Sequence, residues 1–282
     1  MVALRQRVTL VDVVLGTYEG FARHLTARNV AVLAYYGVLT IFPLLMAATT
    51  ILGFVLEDNP DLQQDIIDSA ISQIPVIGDQ IEANAGQITG SYWALFIGLG
   101  IALWSSMKAF VGLQTALDDT WEVPVLDRDG MPKQRFRALV GIAVIGIAQV
   151  ASVVLAGLVA EAGLPTLGQI GLAVGGALIN AAATATMYRY LTSADVRWRD
   201  VWPGAAFCAV LFTILQFLGT KLMTDALASA EEVYGAFAGI LALMTWISLY
   251  AFIALVGAEL NAELARRRRG RPANEIGLDP TG

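Results

Sequence analysis

One lysine, Lys108, stands in a stretch that is otherwise free of charge between Glu82 and Asp118. It precedes Asp118 by ten residues, about 15 Å along a helix rising 1.5 Å per residue. In hydrocarbon such a charge costs roughly 3 kcal/mol, so it needs protein, water or a counter-charge. Gly98, Ser105, Lys108, Gly112, Thr115 and Asp119 share one helical face, which predicts that this face meets protein or water rather than lipid. The partner expected for Lys108 is Glu259, seven residues before the Arg266–Arg269 run. An anionic part of a substrate is the other possibility. A lysine that snorkels or pairs inside a static bundle fits the same pattern equally well. Asn180, Gln149 and Gln216 are mid-helix amides expected to hydrogen-bond between helices at about 0.6 kcal/mol each. The candidate polar site is therefore Lys108, Ser105, Thr115, Glu259 and Asn180.

Catalytic patterns are absent. The chain has no HExxH, GxSxG, P-loop or GxGxxG before a helix. One histidine, His24, and one cysteine, Cys208, exclude a Cys- or His-cluster metal site and an intrachain disulfide. The acidic pairs Asp118–Asp119 and Glu231–Glu232 fall at the ends of apolar runs, where solvated charges are the ordinary expectation. No catalytic, cofactor or metal residues are predicted.

The elements that must carry these residues are long and apolar. Hydrophobic residues make up 56% of the chain and charged ones 15%, with a mean hydropathy of +0.63; soluble domains carry about 25% charged residues. Six runs are each long enough for the roughly 20 residues that cross a bilayer. They predict spans at about Val30–Leu56, Tyr92–Leu117, Ala138–Ala160, Leu167–Leu191, Val201–Met223 and Tyr234–Leu260. The expected fold is all-α and polytopic: a cytoplasmic N-terminal segment (1–29), a six-span membrane domain (30–265) and a basic tail (266–282). Residues 8–27 read as an amphipathic helix, with Val11, Val14, Leu15, Tyr18, Phe21, Ala22 and Leu25 opposite Asp12, Glu19 and Arg23. It either lies on the membrane surface or packs beneath the bundle. Pro43 should kink the first span. Leu62, Ile66, Ala70 and Ile74 predict a short outer helix, and Gly171 with Gly175 a close helix approach.

Basic residues set the orientation, because cytoplasmic loops carry the excess. Sixteen of the eighteen Lys and Arg residues fall before the first span, in alternate loops or after the sixth; only Lys221 lies on the other side. Both termini are therefore expected in the cytoplasm. The net charge of −6 arises largely from the loop holding Glu57, Asp58, Asp61, Asp65, Asp68, Asp79 and Glu82. The expected partner is a bilayer with anionic headgroups at the cytoplasmic face. A homo-oligomer is possible, and nucleic acid is not expected.

Several segments resemble the YihY/BrkB family of bacterial inner-membrane proteins, once named ribonuclease BN. They are Ala34-Tyr35-Tyr36 with Phe42-Pro43-Leu44-Leu45; Tyr188-Arg189-Tyr190-Leu191 with Trp198-Arg199-Asp200-Val201-Trp202-Pro203-Gly204-Ala205; and Tyr234-Gly235-Ala236, Trp246 and Gly257-Ala258-Glu259-Leu260-Asn261. The likeness covers about residues 9–267, and Thr192 stands where the family usually has proline. It implies six-span proteins of the bacterial inner membrane, linked by name to serum resistance. Nuclease chemistry is not expected, because the residues for hydrolysis are missing. Transport of a small solute or lipid-like amphiphile is the function expected, with a non-transporting scaffold or envelope-assembly factor as the alternative and a membrane-embedded enzyme a distant third.

Overall fold

The structure is a computed structural model that describes residues 10–55, 92–161, 166–234 and 237–270. The side chains of 41–55, 92, 94–95, 98, 149–170, 172–173 and 217–237 also lie outside the description. So do the expected outer helix, Gly235, Gln149, Lys221, Glu231–Glu232, the tail from 271 and the side chain of Pro43.

The described residues form seven α-helices and no strand. They are α1 (Leu10–Arg23), α2 (Thr26–Val55), α3 (Tyr92–Thr120), α4 (Met131–Glu161), α5 (Thr166–Leu191), α6 (Trp198–Tyr234) and α7 (Phe237–Arg268). A short 3-10 turn, Val125–Asp127, joins α3 to α4. Each predicted apolar run lies largely within one of α2 to α7. Among the described residues, the segment Ala238–Arg268 is long and apolar enough to cross a membrane, with a hydropathy of 2.2.

Helix α7 is the hub, touching α1, α2, α3 and α6, while α4 packs between α3 and α5. The core lies where α5 and α6 meet α7, around Leu117, Tyr188, Leu191, Val201, Ala205, Cys208 and Ile253. Large apolar side chains such as Phe96, Ile147 and Leu178 are exposed around it, as expected where the surrounding solvent is lipid.

Two glycines bring α6 and α7 into backbone contact. A Cβ on Gly204 would overlap the Gly257 carbonyl oxygen, and one on Gly257 would overlap Cys208 Sγ. Pro203 lies inside α6 and has no N–H for the Arg199 carbonyl one turn earlier. Arg268 Nη1 donates to that carbonyl instead, at 2.9 Å. The Asn261 amide bridges the same opening, accepting from Gly204 N at 2.6 Å and donating to Val201 O at 2.9 Å. Gly171, by contrast, has nothing within 4 Å of its Cβ direction. The close approach predicted there is made at Gly204 and Gly257.

Helix α1 meets α7 through its smallest residues: Gly16, Thr17 and Gly20 are buried. Its apolar face, including Leu10, Val14 and Tyr18, points outward, and Tyr18 is 69% exposed. The helix is thus packed against the bundle by one edge, with Phe21 of its apolar face against Phe252 of α7 and the rest of that face exposed.

Candidate functional site

The most heavily charged buried region lies where α1, α2, α3 and α7 converge. Glu259 on α7 is completely buried. Its Oε1 accepts hydrogen bonds from Thr26 Oγ1 at 3.0 Å and Thr120 Oγ1 at 3.2 Å, and contacts His24 Nδ1 at 2.9 Å. Four chain segments therefore converge on one carboxylate. Gly20 makes room for it, since a Cβ there would sit 2.6 Å from Glu259 Oε2.

One turn further on, Glu263 is equally buried and pairs with Arg267. Arg267 Nη2 also donates to the Asp12 carbonyl at 2.7 Å, holding the start of α1. Glu122 gathers Arg23 at 2.9 Å, Arg266 at 3.2 Å and His24 Nε2 at 3.6 Å. It does so from a left-handed backbone conformation, φ +54°, at the C-terminal turn of α3. There the Val123 amide reaches Asp118 O and the Glu122 amide reaches Asp119 O, closing a Schellman turn. Glycine usually occupies that position; a glutamate there carries strain of about 1 kcal/mol or more.

Three carboxylates thus face Arg23, Arg266, Arg267 and His24. Buried ions are costly unless each is paired and hydrogen-bonded. Here His24 Nε2, Glu263 Oε2 and Arg266 Nε and Nη2 are buried without hydrogen bonds. His24 lies between a sealed carboxylate and a half-exposed one, Glu122. Among the described residues no group of three His, Cys, Asp or Glu side chains is placed to hold a metal.

The expected polar site is not assembled in this way. Lys108 is exposed on the outer face of α3, its Nζ 5.8 Å from the Trp104 ring centroid. It does not reach Glu259, whose neighbours are His24 and two threonines. Ser105 is buried but bonds to Ile101 O at 2.8 Å, and exposed Thr115 to Val111 O at 3.0 Å. Asn180 bonds to Gly176 O at 3.1 Å within its own helix, whereas Gln216 does join two helices, accepting from Tyr250 at 2.9 Å.

Asp118 corrects a second expectation. It is buried rather than solvated, and accepts from Thr192 Oγ1 at 2.9 Å, Ser193 N at 2.6 Å and Ser193 Oγ at 3.0 Å. Its neighbour Asp119 does pair with an arginine, Arg128, at 2.7 Å. Thr192, at the position where the resembled family has proline, therefore fixes the end of α5 to α3. Among the signature positions, Tyr36 stacks edge-on against Tyr35, Arg189 lies 4.7 Å from the Trp198 ring centroid, and Trp246 is buried beside Tyr250.

Sequence reasoning named His24 only as the single histidine and missed Thr26 and Thr120 altogether. The readable signal was on α1, where Gly16 and Gly20 are four apart and mark the edge that docks.

Residues 17–277 match the family model described as virulence factor BrkB. The chain belongs to this BrkB family. A UPF0761 membrane protein of Vibrio vulnificus (strain CMCP6) is 26% identical over 281 residues, covering 91% of this chain and 86% of the relative. A ribonuclease-like protein, YfkH, of Bacillus subtilis (strain 168) is 23% identical over 279 residues, covering 89% and 94%. A UPF0761 membrane protein of Verminephrobacter eiseniae (strain EF01-2) is 33% identical over 87 residues, covering 31% and 21%. No solved structure matches. The protein is thus a BrkB-family membrane protein, and the family names assign no molecular role.

Proposed function

We propose that the protein spans the bacterial inner membrane six times, with both termini in the cytoplasm, and moves a small solute or lipid-like amphiphile across it. The observation that carries this reading is the buried Glu259–His24 pair. An ionisable network sealed inside a membrane bundle is costly, and such groups ordinarily mark a conducting or switching element. Here it holds α1 against α7 at the basic end of the chain, and α1 is the gate at the cytoplasmic side. His24 links the sealed Glu259 to the half-exposed Glu122, so one side chain ties the gate both to α7 and to the end of α3.

The test is reconstitution into vesicles, with a fluorescent-headgroup phospholipid and a panel of small solutes followed across the bilayer. Wild type should move at least one of them, and Glu259→Gln should change the rate while keeping the fold. Wild-type protein that moves none leaves the scaffold reading. That reading is favoured by the backbone contact of α6 with α7 at Gly204 and Gly257, which suits a rigid assembly.

Orientation is tested separately. With Cys208 replaced by alanine, cysteines introduced at Asp65 and Gly130 should react with an impermeant maleimide on intact cells at 65 alone. Labelling at 130 but not 65 reverses the topology.

A further inference from the structure

Where α5 runs into α6, an open cleft of about 490 Å³ is lined by Arg137, Arg189, Tyr190, Asp195 and Trp198, among others. That size lies in the range of small-ligand sites. Two of its charged side chains, Arg189 and Asp195, are exposed. Arg189 lies over the Trp198 ring and has no carboxylate partner among the described residues. Asp195 has no cationic partner among them either. The two share one cleft without pairing with each other. Arg137 is held by Asp129 at 2.8 Å and by Thr192 O at 2.6 Å, both through Nη1. Its ring contact with Tyr190 leaves Nε and Nη2 turned to no partner among the described residues.

Oppositely charged groups that face one space unpaired are complementary to a ligand bearing the inverse pair. A planar guanidinium suits phosphate, which it can bind in bidentate fashion, and the aspartate suits an ammonium. We propose that this cleft binds a phosphate ester carrying a primary amine, the headgroup of an aminophospholipid. The lipid source is favoured over a soluble one by Trp198, which lines the cleft and is 46% exposed, and by Trp202, 43% exposed one turn further along α6. Exposed tryptophans at the start of an apolar helix belong at the headgroup level of a bilayer. The inference rests on the membrane reading above and names the headgroup class of an amphiphilic substrate, but binding is measured here without transport.

The test uses full-length protein in nanodiscs of phosphatidylcholine doped with equal amounts of phosphatidylethanolamine and phosphatidylglycerol, with retained lipid identified by native mass spectrometry. Wild type should retain phosphatidylethanolamine severalfold over phosphatidylglycerol. Arg189→Gln should lower retention of both about tenfold, the scale of losing one charge-assisted contact. Asp195→Asn, at an exposed position that leaves the fold intact, should shift the preference toward phosphatidylglycerol. Equal retention of the two lipids by wild type, or an unchanged preference in Asp195→Asn, overturns the proposal. Displacement of the bound lipid by millimolar soluble phosphoethanolamine, with no preference among lipids, overturns the lipid assignment. Retention without translocation refutes only the transport reading, and translocation without headgroup preference refutes only the cleft.

Discussion

Replacing Gly204 by alanine tests whether α6 and α7 truly meet backbone to backbone. The added Cβ would sit 2.6 Å from Asn261 Nδ2 and closer still to the Gly257 carbonyl oxygen, against 3.4 Å for ordinary contact. A carbonyl fixed within a helix cannot rotate aside, so the helices must part by an ångström or more. Overpacking of this kind costs about 1–3 kcal/mol, and the rigid neighbour places it near the top of that range. The Gly204 N–H bond to Asn261 Oδ1 is lost with it, about 1 kcal/mol more. Alanine returns about 1 kcal/mol of helix propensity, leaving a net loss of about 3 kcal/mol. The control is Gly171→Ala, where the Cβ meets nothing within 4 Å; only the propensity gain remains. Thermal unfolding in mild detergent should show a midpoint lowered by roughly 6–12 °C for Gly204→Ala and unchanged or raised for Gly171→Ala. If Gly204→Ala unfolds with wild type, or if the two variants rank in the opposite order, the helices are further apart than described.

Asp118→Asn keeps the size of the buried side chain but turns one accepting oxygen into a donor facing Thr192 and Ser193. It should cost about 2–3 kcal/mol, read as a lower unfolding midpoint, whereas Asp119→Asn should stay within 1 kcal/mol of wild type. Removing the imidazole in His24→Ala should free α1, so that trypsin cuts after Arg23 or Arg28 at least tenfold faster than in wild type; equal cutting would mean that the pair does not hold the helix. Purified protein should not process a labelled tRNA precursor with or without divalent metal. Activity that survives several columns and disappears in an Asp118→Ala, Asp119→Ala double variant would show that expectation to be mistaken.

The helices were legible because apolar runs of spanning length leave few alternatives, and the amphipathic pattern of residues 8–27 located α1. The side chains that organise the site were not. Lys108 shows why: a charge within an apolar run signals a cost, but rotation about the helix axis decides whether protein or lipid faces it. Ser105 and Gly112 suggested an inward stripe, and Ser105 is buried while Gly112 faces Val32 and Leu33 of α2, yet Lys108 between them stays out. Glu259 was singled out for its position, but its partner could not be read, because His24 lies 235 residues away. Nor could Asp118 be recognised as buried. Its partners belong to the loop after α5, and one of them is a backbone amide that carries no sequence signal. Asn261 was quoted as part of a signature without a role. The opening that Pro203 and Gly204 create in α6 supplies one.

The contact between His24 and Glu259 joins the first described helix to the last, which gives it a meaning for biosynthesis. A ribosome delivers α1 and α2 to the membrane long before α7 exists, and helices made early must wait for later ones before long-range contacts form. Until α7 is made, His24, Thr26 and Thr120 have no Glu259 carboxylate to meet, and the edge of α1 at Gly16 and Gly20 lacks the helix it docks against. Helix α7 therefore completes the docking of α1. A chain truncated before Glu259 would hold α1 to α6 yet leave α1 without the helix that docks it.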